Sequence, residues 1–515
     1  MLFNSWGFIL VFMPAVLAGF FLLPAQPHQA RKCWLLAASL VFYGAWRIDY
    51  LPLLLGSVVY NFLIAEGLTL WRDTPKARNL LIVGVTGNLL LLAYYKYAGF
   101  FVGIVDAIFR QGFSLPQIIL PLAISFFTFT QIAYIVDVYR DHTRHYGFLD
   151  YILFVTLFPH LIAGPIVRHW EIIPQYVDRD LRPSQTDLSV GAALFFLGLF
   201  KKCLIADPLA VTANAVFNSA ASGTHILMFD AWFGSLSYTM QLYFDFSGYS
   251  DMAIGLARLL GIRFPCNFNS PYQATSIQDF WTRWHITLTR FIREYIYFPL
   301  GGNRCSPQRQ VGNVMAVMLL CGLWHGAGWT FVLWGGLHGL YLLIGRLWAL
   351  LGQKLKWTLN QWSLYRFATS GLTFLAVVLG WVLFRARDFP TAGEIYGAMF
   401  GHNGFTVPYE VGQASLGIGK LTSWLGGTIV PTNLAGISYR HSIAGLLAVL
   451  LLAWILPNTQ QWLAKYEPIL EQVRPRGFCQ LTLNFPVGLA FGVGFFFVLR
   501  SYFSAQASPF LYFNF

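Results

Sequence analysis

Apolar stretches of membrane-crossing length recur along this chain, and no other feature limits its fold so strongly. A helical span needs roughly 20 consecutive, mostly apolar residues. Such stretches are read at Trp6 to Leu23, Leu51 to Leu70, Asn79 to Tyr95, Leu115 to Val136, Val190 to Leu204, Asn313 to Leu323, Phe331 to Leu351, Phe367 to Phe384, Ile443 to Leu456 and Phe485 to Leu499. Cys33 to Trp46 and Tyr151 to Pro165 are shorter or interrupted by turn formers, which suits tilted, broken or re-entrant helices. The expected fold class is therefore all-α, a polytopic integral membrane protein of about 10–13 membrane segments.

Composition agrees: 56% of the residues are apolar, 17% aromatic and only 11% charged, where a soluble domain carries roughly 25% charged residues. With no long polar linker, residues 1–515 read as a single integral membrane domain, without a separate soluble module. The formal charge of +12 does not indicate nucleic acid, because the basic residues flank hydrophobic spans as the positive-inside tendency predicts. Arg72 to Arg78, Arg140 to Arg144, Arg168 to Arg182 and Arg283 to Arg309 are the expected cytoplasmic connectors. Arg31 and Lys32 follow the first span and no basic residue precedes it, so it reads as an uncleaved helix with its N-terminus outside. Cys33, Cys203, Cys266, Cys305, Cys321 and Cys479 form no CxxC pair and no Cys/His cluster, so neither a metal site nor a disulfide framework is expected. Gly401 to Gly436, rich in Gly, Ser and Thr, is expected to be the longest extramembrane loop.

Two stretches do not reduce to lipid anchoring. WTRWHITLTRFIREYIYFPLGGNR, Trp281 to Arg304, contains four arginines and a histidine. On one continuous helix, Arg283, Thr287, Arg290 and Glu294 share a polar face, while Trp281, Trp284, Leu288, Phe291, Ile292 and Tyr295 form an apolar arc that includes His285. An interfacial helix accounts for the arginines but not for the histidine, which either fixes the helix to its neighbours or serves a site. Pro299, Gly301 and Gly302 should end the helix in a turn. The arginines can equally hold phosphates through bidentate bonds or follow positive-inside topology.

The second stretch is CGLWHGAGWTFVLWGGLHG, Cys321 to Gly339. A histidine at membrane depth is a functional candidate, and a neutral His325 imidazole can take a proton from an attacking hydroxyl. Bonding to buried carbonyls is an equal alternative for His325, and the favoured one for His338. Gly326 and Gly328 would allow close approach of backbone or substrate. No GxSxG elbow marks a serine hydrolase. Asp245 and Asp251 in YFDFSGYSDMAIG read as interhelical bonds before polar lining. His160, Arg168 and His169 in HLIAGPIVRHW fit a turn at the membrane boundary as well as a binding site.

The ordered set LFNSWGFILVFMP, FPHLIAGPIVR, YFDFSGYSDMAIGLARLLGI, DFWTRWHITLTRFIREYIYFPLGGNR, GLWHGAGWTFVLWGGLHG and PFLYFNF resembles the membrane-bound O-acyltransferase family, within it the bacterial branch that O-acetylates polysaccharides. The resemblance implies helices around a central tunnel, His325 as the catalytic histidine and His285 as the second characteristic one. It implies acetyl-CoA as donor cosubstrate, no tightly bound cofactor and no metal. The acceptor implied is an exported polysaccharide, alginate or a similar exopolysaccharide, reached from the bacterial inner membrane with periplasmic acetyl-transfer partner proteins. D-alanyl transfer or peptidoglycan acetylation on the same scaffold is the close alternative. A transporter is the alternative from another class, and the corresponding broken segments in two halves that it should show are not found. The tail SPFLYFNF reads as an aromatic interfacial anchor; its similarity to tails of related acyl-export systems makes Tyr512 a candidate acyl relay.

Overall fold

The computed structural model describes residues 1–24, 29–113, 115–116, 118–140, 144–178, 181–356, 362–414, 420, 422–424, 427–430, 439–476, 480–503 and 510–511. In chain order the principal helices begin with α1 (Gly7–Leu22), α2 (Gln29–Gly44), α3 (Ile48–Leu70), α4 (Pro75–Phe109) and α5 (Ile124–Tyr139). They continue with α6 (Phe148–Thr156), α7 (His169–Val177), α8 (Gln185–Ala221) and α9 (Met228–Leu259). Next come α10 (Ile277–Trp281), α11 (Ile286–Ile292), α12 (Pro307–His325) and α13 (Trp329–Lys354). The last are α14 (Ser363–Arg385), α15 (Phe389–Met399), α16 (Tyr439–Ile455) and α17 (Phe485–Phe503). Among the described residues, α3, α4, α8, α13 and α14 are long and apolar enough to cross a membrane, and α1, α5, α16 and α17 contain shorter apolar stretches. The protein is thus an all-α, multi-pass membrane protein.

The helices form two compact units, one of residues 1–199, 249–267 and 459–514, the other of residues 200–248, 268–458 and 515. In the first unit, α3 and α4 turn large apolar side chains such as Leu63, Leu70, Ile82 and Leu90 outward, as lipid-facing helices do. Their inner faces are joined by reciprocal amide bonds between Asn61 and Asn88 at 2.6 and 3.1 Å, because a polar side chain between spans needs a partner. Gln131 on α5 donates to Ser57 Oγ at 2.9 Å and accepts from the Tyr151 hydroxyl of α6 at 3.2 Å. Where α8 meets the end of α9, a Cβ on Gly255 would lie 2.6 Å from the carbonyl oxygen of Gly191; only glycine permits that approach. Asp251 accepts from Thr459 Oγ1 at 2.8 Å and Gln460 Nε2 at 2.6 Å, which is the structural role expected of it.

The second unit holds the rest of α8 and α9. Lys202, buried on α8, bridges Asp207 at 2.8 Å and Asp245 of α9 at 2.7 Å. Tyr439 donates to Asp230 at 2.6 Å, joining α16 to the start of α9.

Several expected boundaries move. Residues 115–116 and 118–123 are not helical, and α5 begins at Ile124 after Pro121 and a left-handed Ala123. Proline lacks the donor a helix interior requires and disfavours helix before it. The Tyr151 to Pro165 segment is indeed broken: α6 stops at Thr156 and a separate turn of helix spans Phe158–Leu161. α9 was not anticipated as an element, because its Asp, Ser, Thr and Gly residues lower its hydropathy although residues 239–260 are all buried. The stretch from Gly401 to Gly436 is more than a loop: β1 (Thr406–Pro408) pairs in parallel with β2 (Thr428–Val430), Thr406 opposite Thr428.

Candidate active site

The expected continuous helix from Trp281 to Tyr295 is interrupted, and the interruption is at the histidine. Ser276 caps α10 by accepting from the Asp279 amide at 3.1 Å, but the helix ends at Trp281 and α11 begins only at Ile286. Between them His285 takes φ 42° and ψ 54°, a left-handed conformation uncommon for a residue with a side chain and frequent at functional positions. The resulting break carries the fully buried ring into aromatic packing, edge-on to Phe246 at 4.8 Å and 6.1 Å from Trp324 between ring centroids. The polar face is also less aqueous than a single helix implies. Thr287 is buried, and Arg283 makes an ion pair with Asp279 at 2.7 Å. The end of the stretch behaves as expected, with Gly301 at φ 107° and Gly302 at φ 51° turning the chain.

His325 is the last residue of α12, at the tip of the hairpin that α12 makes with α13. The hairpin is tight because small residues face one another. A Cβ on Gly322 would lie 2.2 Å from the Phe331 carbonyl oxygen, and one on Gly335 would lie 2.2 Å from that of Met318. Such close approach is how helices pack where lipid supplies no hydrophobic drive between them. Gly326, expected to make room for substrate or backbone, makes room for the Phe331 ring, whose Cε2 would lie 2.2 Å from its Cβ. A Gly335→Ala substitution is expected to destabilise the protein by about 1–3 kcal/mol, the usual cost of overpacking, measured as a lower midpoint of thermal unfolding in detergent. Gly336→Ala, whose Cβ would make an ordinary 3.5 Å contact with Leu319, should leave the midpoint unchanged.

This hairpin places His325, 2% exposed, against Trp324 at 4.8 Å, Trp334 at 5.2 Å and Phe384 of α14 at 5.2 Å. Trp324 therefore contacts both histidines named from the sequence. On the other side, Trp334 stacks on Trp381 of α14 at 5.7 Å and lies 4.9 Å from His338. Three histidines, distant along the chain, thus line one aromatic-walled cluster within the second unit. His338 is fully buried among Trp281, Trp334 and Tyr341. Contrary to a role in bonding buried carbonyls, neither of its ring nitrogens has a hydrogen-bond partner among the described residues. An imidazole buried in this way is costly. Of the aromatic walls, Trp281 was expected only as part of an apolar arc, and Trp334, Trp381 and Phe384 received no role from the sequence. Tryptophans inside spans were the available signal, but their grouping depends on how the helices cross.

The other candidates lie elsewhere. Asp245 is engaged by Lys202. In the first unit, His160 bonds the Phe154 carbonyl at 2.8 Å, and His169 lies 3.4 Å from Asp137. A Cβ on Gly164 would lie 2.6 Å from His160 Cα, so the Gly-Pro break is a close-packed turn. Phe510 of the C-terminal tail is buried and stacked on Tyr249 at 4.6 Å, packing into the protein. Tyr512 and Cys479 lie outside the described residues. Among those residues, no group of three or more His, Cys, Asp or Glu side chains is arranged to hold a metal ion.

Residues 138–363 match the model of the membrane-bound O-acyltransferase family, a range that includes all three histidines of the cluster. The chain is 37% identical over its whole length to the peptidoglycan O-acetyltransferase of Helicobacter pylori, covering 98% of that protein. It is 43% identical over 78% of its length to the probable alginate O-acetylase of Pseudomonas aeruginosa, covering 75% of it. A more distant likeness, 27% over 52% of this chain and 69% of the relative, connects it to the teichoic acid D-alanyltransferase of Bacillus subtilis. Similarity of this extent, carried on a multi-pass helical scaffold, makes the chain a member of the membrane-bound O-acyltransferase family and an O-acyltransferase.

Proposed function

We propose that this enzyme takes acetyl groups from cytoplasmic acetyl-CoA and moves them across the bacterial inner membrane for O-acetylation of an exported polysaccharide, alginate or a similar exopolysaccharide. The observation that carries the reading is the burial of His285 and His325, each in ring contact with Trp324. Relatives named as O-acetylases of glycan polymers, matching most or all of the chain, support the choice of group and acceptor class.

The chemistry asks for one proton carrier in a water-poor site. His325 takes the proton of the acceptor hydroxyl as its oxygen bonds to the thioester carbonyl carbon. The carbon–sulfur bond then breaks, and the imidazolium returns the proton to the departing thiolate, so CoA leaves as the thiol. His285, held rigidly at the break between α10 and α11, positions the thioester or the Trp324 ring; the Trp324 N–H is suited to donate to the developing oxyanion. Tyr512 is proposed as an acyl acceptor in a relay towards periplasmic partner proteins that complete the transfer. Its phenol oxygen would take the acetyl group from the thioester as the carbon–sulfur bond breaks, with its proton passing through His325 to the departing thiolate. An acceptor hydroxyl would later take the acetyl group and return the proton to give the free phenol. A base is needed because an unperturbed phenol is ionised only near pH 10.

Peptidoglycan is the second acceptor to consider, because the match to the H. pylori protein extends over the entire chain. The deciding experiment uses purified protein in proteoliposomes with radiolabelled acetyl-CoA outside and either polymer within, alone and with a periplasmic extract. Label on the exopolysaccharide supports the proposal, label on peptidoglycan alone selects the second acceptor, and no release of CoA from acetyl-CoA removes the donor assignment.

A further inference from the structure

A second feature of the same unit lies near the opposite end of α13 from Trp334. A cavity of about 790 Å³ is lined by Arg346, Arg366, Tyr297, Trp348, Tyr365 and Gln278, among others, and no Asp or Glu among the described residues contributes to its wall. Its two guanidinium groups make no ion pair among the described residues; the only hydrogen-bond acceptor found for either is the side-chain carbonyl of Gln310, for Arg346. A cationic wall that no acidic side chain among the described residues neutralises is poised for an anion from outside the chain.

The cavity is also built, not merely charged. Gln310 is buried, with 7% exposure, and its amide donates to the carbonyls of Asn303 and Cys305 at 2.9 and 2.8 Å. Its oxygen is thereby aimed at Arg346 and holds that guanidinium in place. Gln278 donates to the Leu342 carbonyl at 3.1 Å and lies over Gly345, where a Cβ would come within 2.7 Å of its Oε1. The Trp348 indole donates to the Tyr365 hydroxyl at 2.9 Å, tying α13 to α14 across the cavity. Arg346 is thus preorganised, which lowers the ordering cost of binding.

The surroundings select the ligand. Leu347, Leu351, Leu364 and Phe367, beside the cavity on the same two membrane-spanning helices, are all exposed, whereas Lys354 and Lys356 follow at the end of α13. This is the boundary between apolar and polar surroundings, where indole and phenol rings also settle. We propose that this cavity is a binding site for the phosphate group of an amphiphilic ligand, with Arg346 and Arg366 as its bidentate donors. An acidic phospholipid headgroup and the phosphates of a nucleotide thioester share that chemistry. The proposal concerns binding alone and holds whichever acyl donor the enzyme uses.

The test measures binding to the purified full chain in detergent, with dioctanoylphosphatidylglycerol, coenzyme A and the phosphate-free dioctanoylglycerol as probes. Wild-type protein is expected to bind at least one phosphate-bearing probe, and Arg346→Gln with Arg366→Gln to weaken that binding at least tenfold while dioctanoylglycerol is unaffected. Loss of the lipid with coenzyme A unchanged assigns a headgroup; loss of coenzyme A with lipid unchanged assigns the thioester phosphates; loss of both assigns a shared phosphate seat. Should the double variant fail to fold, Arg366→Gln alone decides, because its exposed side chain is not needed for packing, and about a threefold loss is expected. Unchanged binding of both phosphate probes in a folded variant overturns the proposal.

Discussion

Replacing His325 with alanine is expected to reduce acyl transfer by about 100- to 10,000-fold, the usual contribution of a positioned acid–base group. The loss should fall on kcat, because the imidazole acts on the hydroxyl proton in the transition state and adds little to ground-state binding. His325→Gln keeps most of the volume between Trp324, Trp334 and Phe384 but cannot shuttle a proton, so it should be as inactive as alanine. If His325 were only a packing residue, glutamine would restore activity. Single-turnover release of CoA in wild-type and variant proteoliposomes, with thermal unfolding midpoints as a folding control, distinguishes these outcomes.

The largest effect on stability is expected from Lys202→Met. Lys202 is 3% exposed and its ammonium group lies between Asp207 and Asp245, the latter 1% exposed. Methionine fills much of the space of the lysine stem but leaves the Asp245 carboxylate without its cation. Removing one member of a buried ion pair costs about 3–5 kcal/mol, chiefly because the surviving charge stays desolvated. The measurement is the midpoint of thermal or denaturant unfolding in detergent. The double substitution Lys202→Met with Asp245→Leu removes the ammonium group and the fully buried carboxylate, leaving only the part-exposed Asp207 charged, and should recover most of the loss. Equal destabilisation by the single and double variants would show that steric packing, not charge, ties α8 to α9 here.

The membrane-crossing helices were legible because each depends on a local quantity, the apolar content of about 20 consecutive residues. α3, α13 and α14 appear close to the expected positions. α9 was missed for the same reason in reverse. Asp230, Asp245, Asp251 and Arg258 make it look too polar, yet each has a partner supplied by a distant element: Tyr439, Lys202, Thr459 with Gln460, and Asp187. A hydropathy window records the cost of burying a charge but not the partner that offsets it. The break at His285 was also unforeseen. The apolar periodicity of Trp281 to Tyr295 suits one helix, and the left-handed turn is held by ring contacts to Phe246 and Trp324, which come from other helices.

Residue order was enough to establish an all-α membrane protein of the O-acyltransferase family, because hydropathy is local and the family motifs are read directly from consecutive residues. It also singled out His285 and His325. It could not place His338 beside them, enclose the three in tryptophan and phenylalanine rings, or bring Arg346 and Arg366 to the wall of one cavity. Those relations arise where α12 and α13 cross on facing glycines and α14 packs alongside. The spacing between helices is set by contacts between residues far apart in the chain, so only the folded protein contains that information.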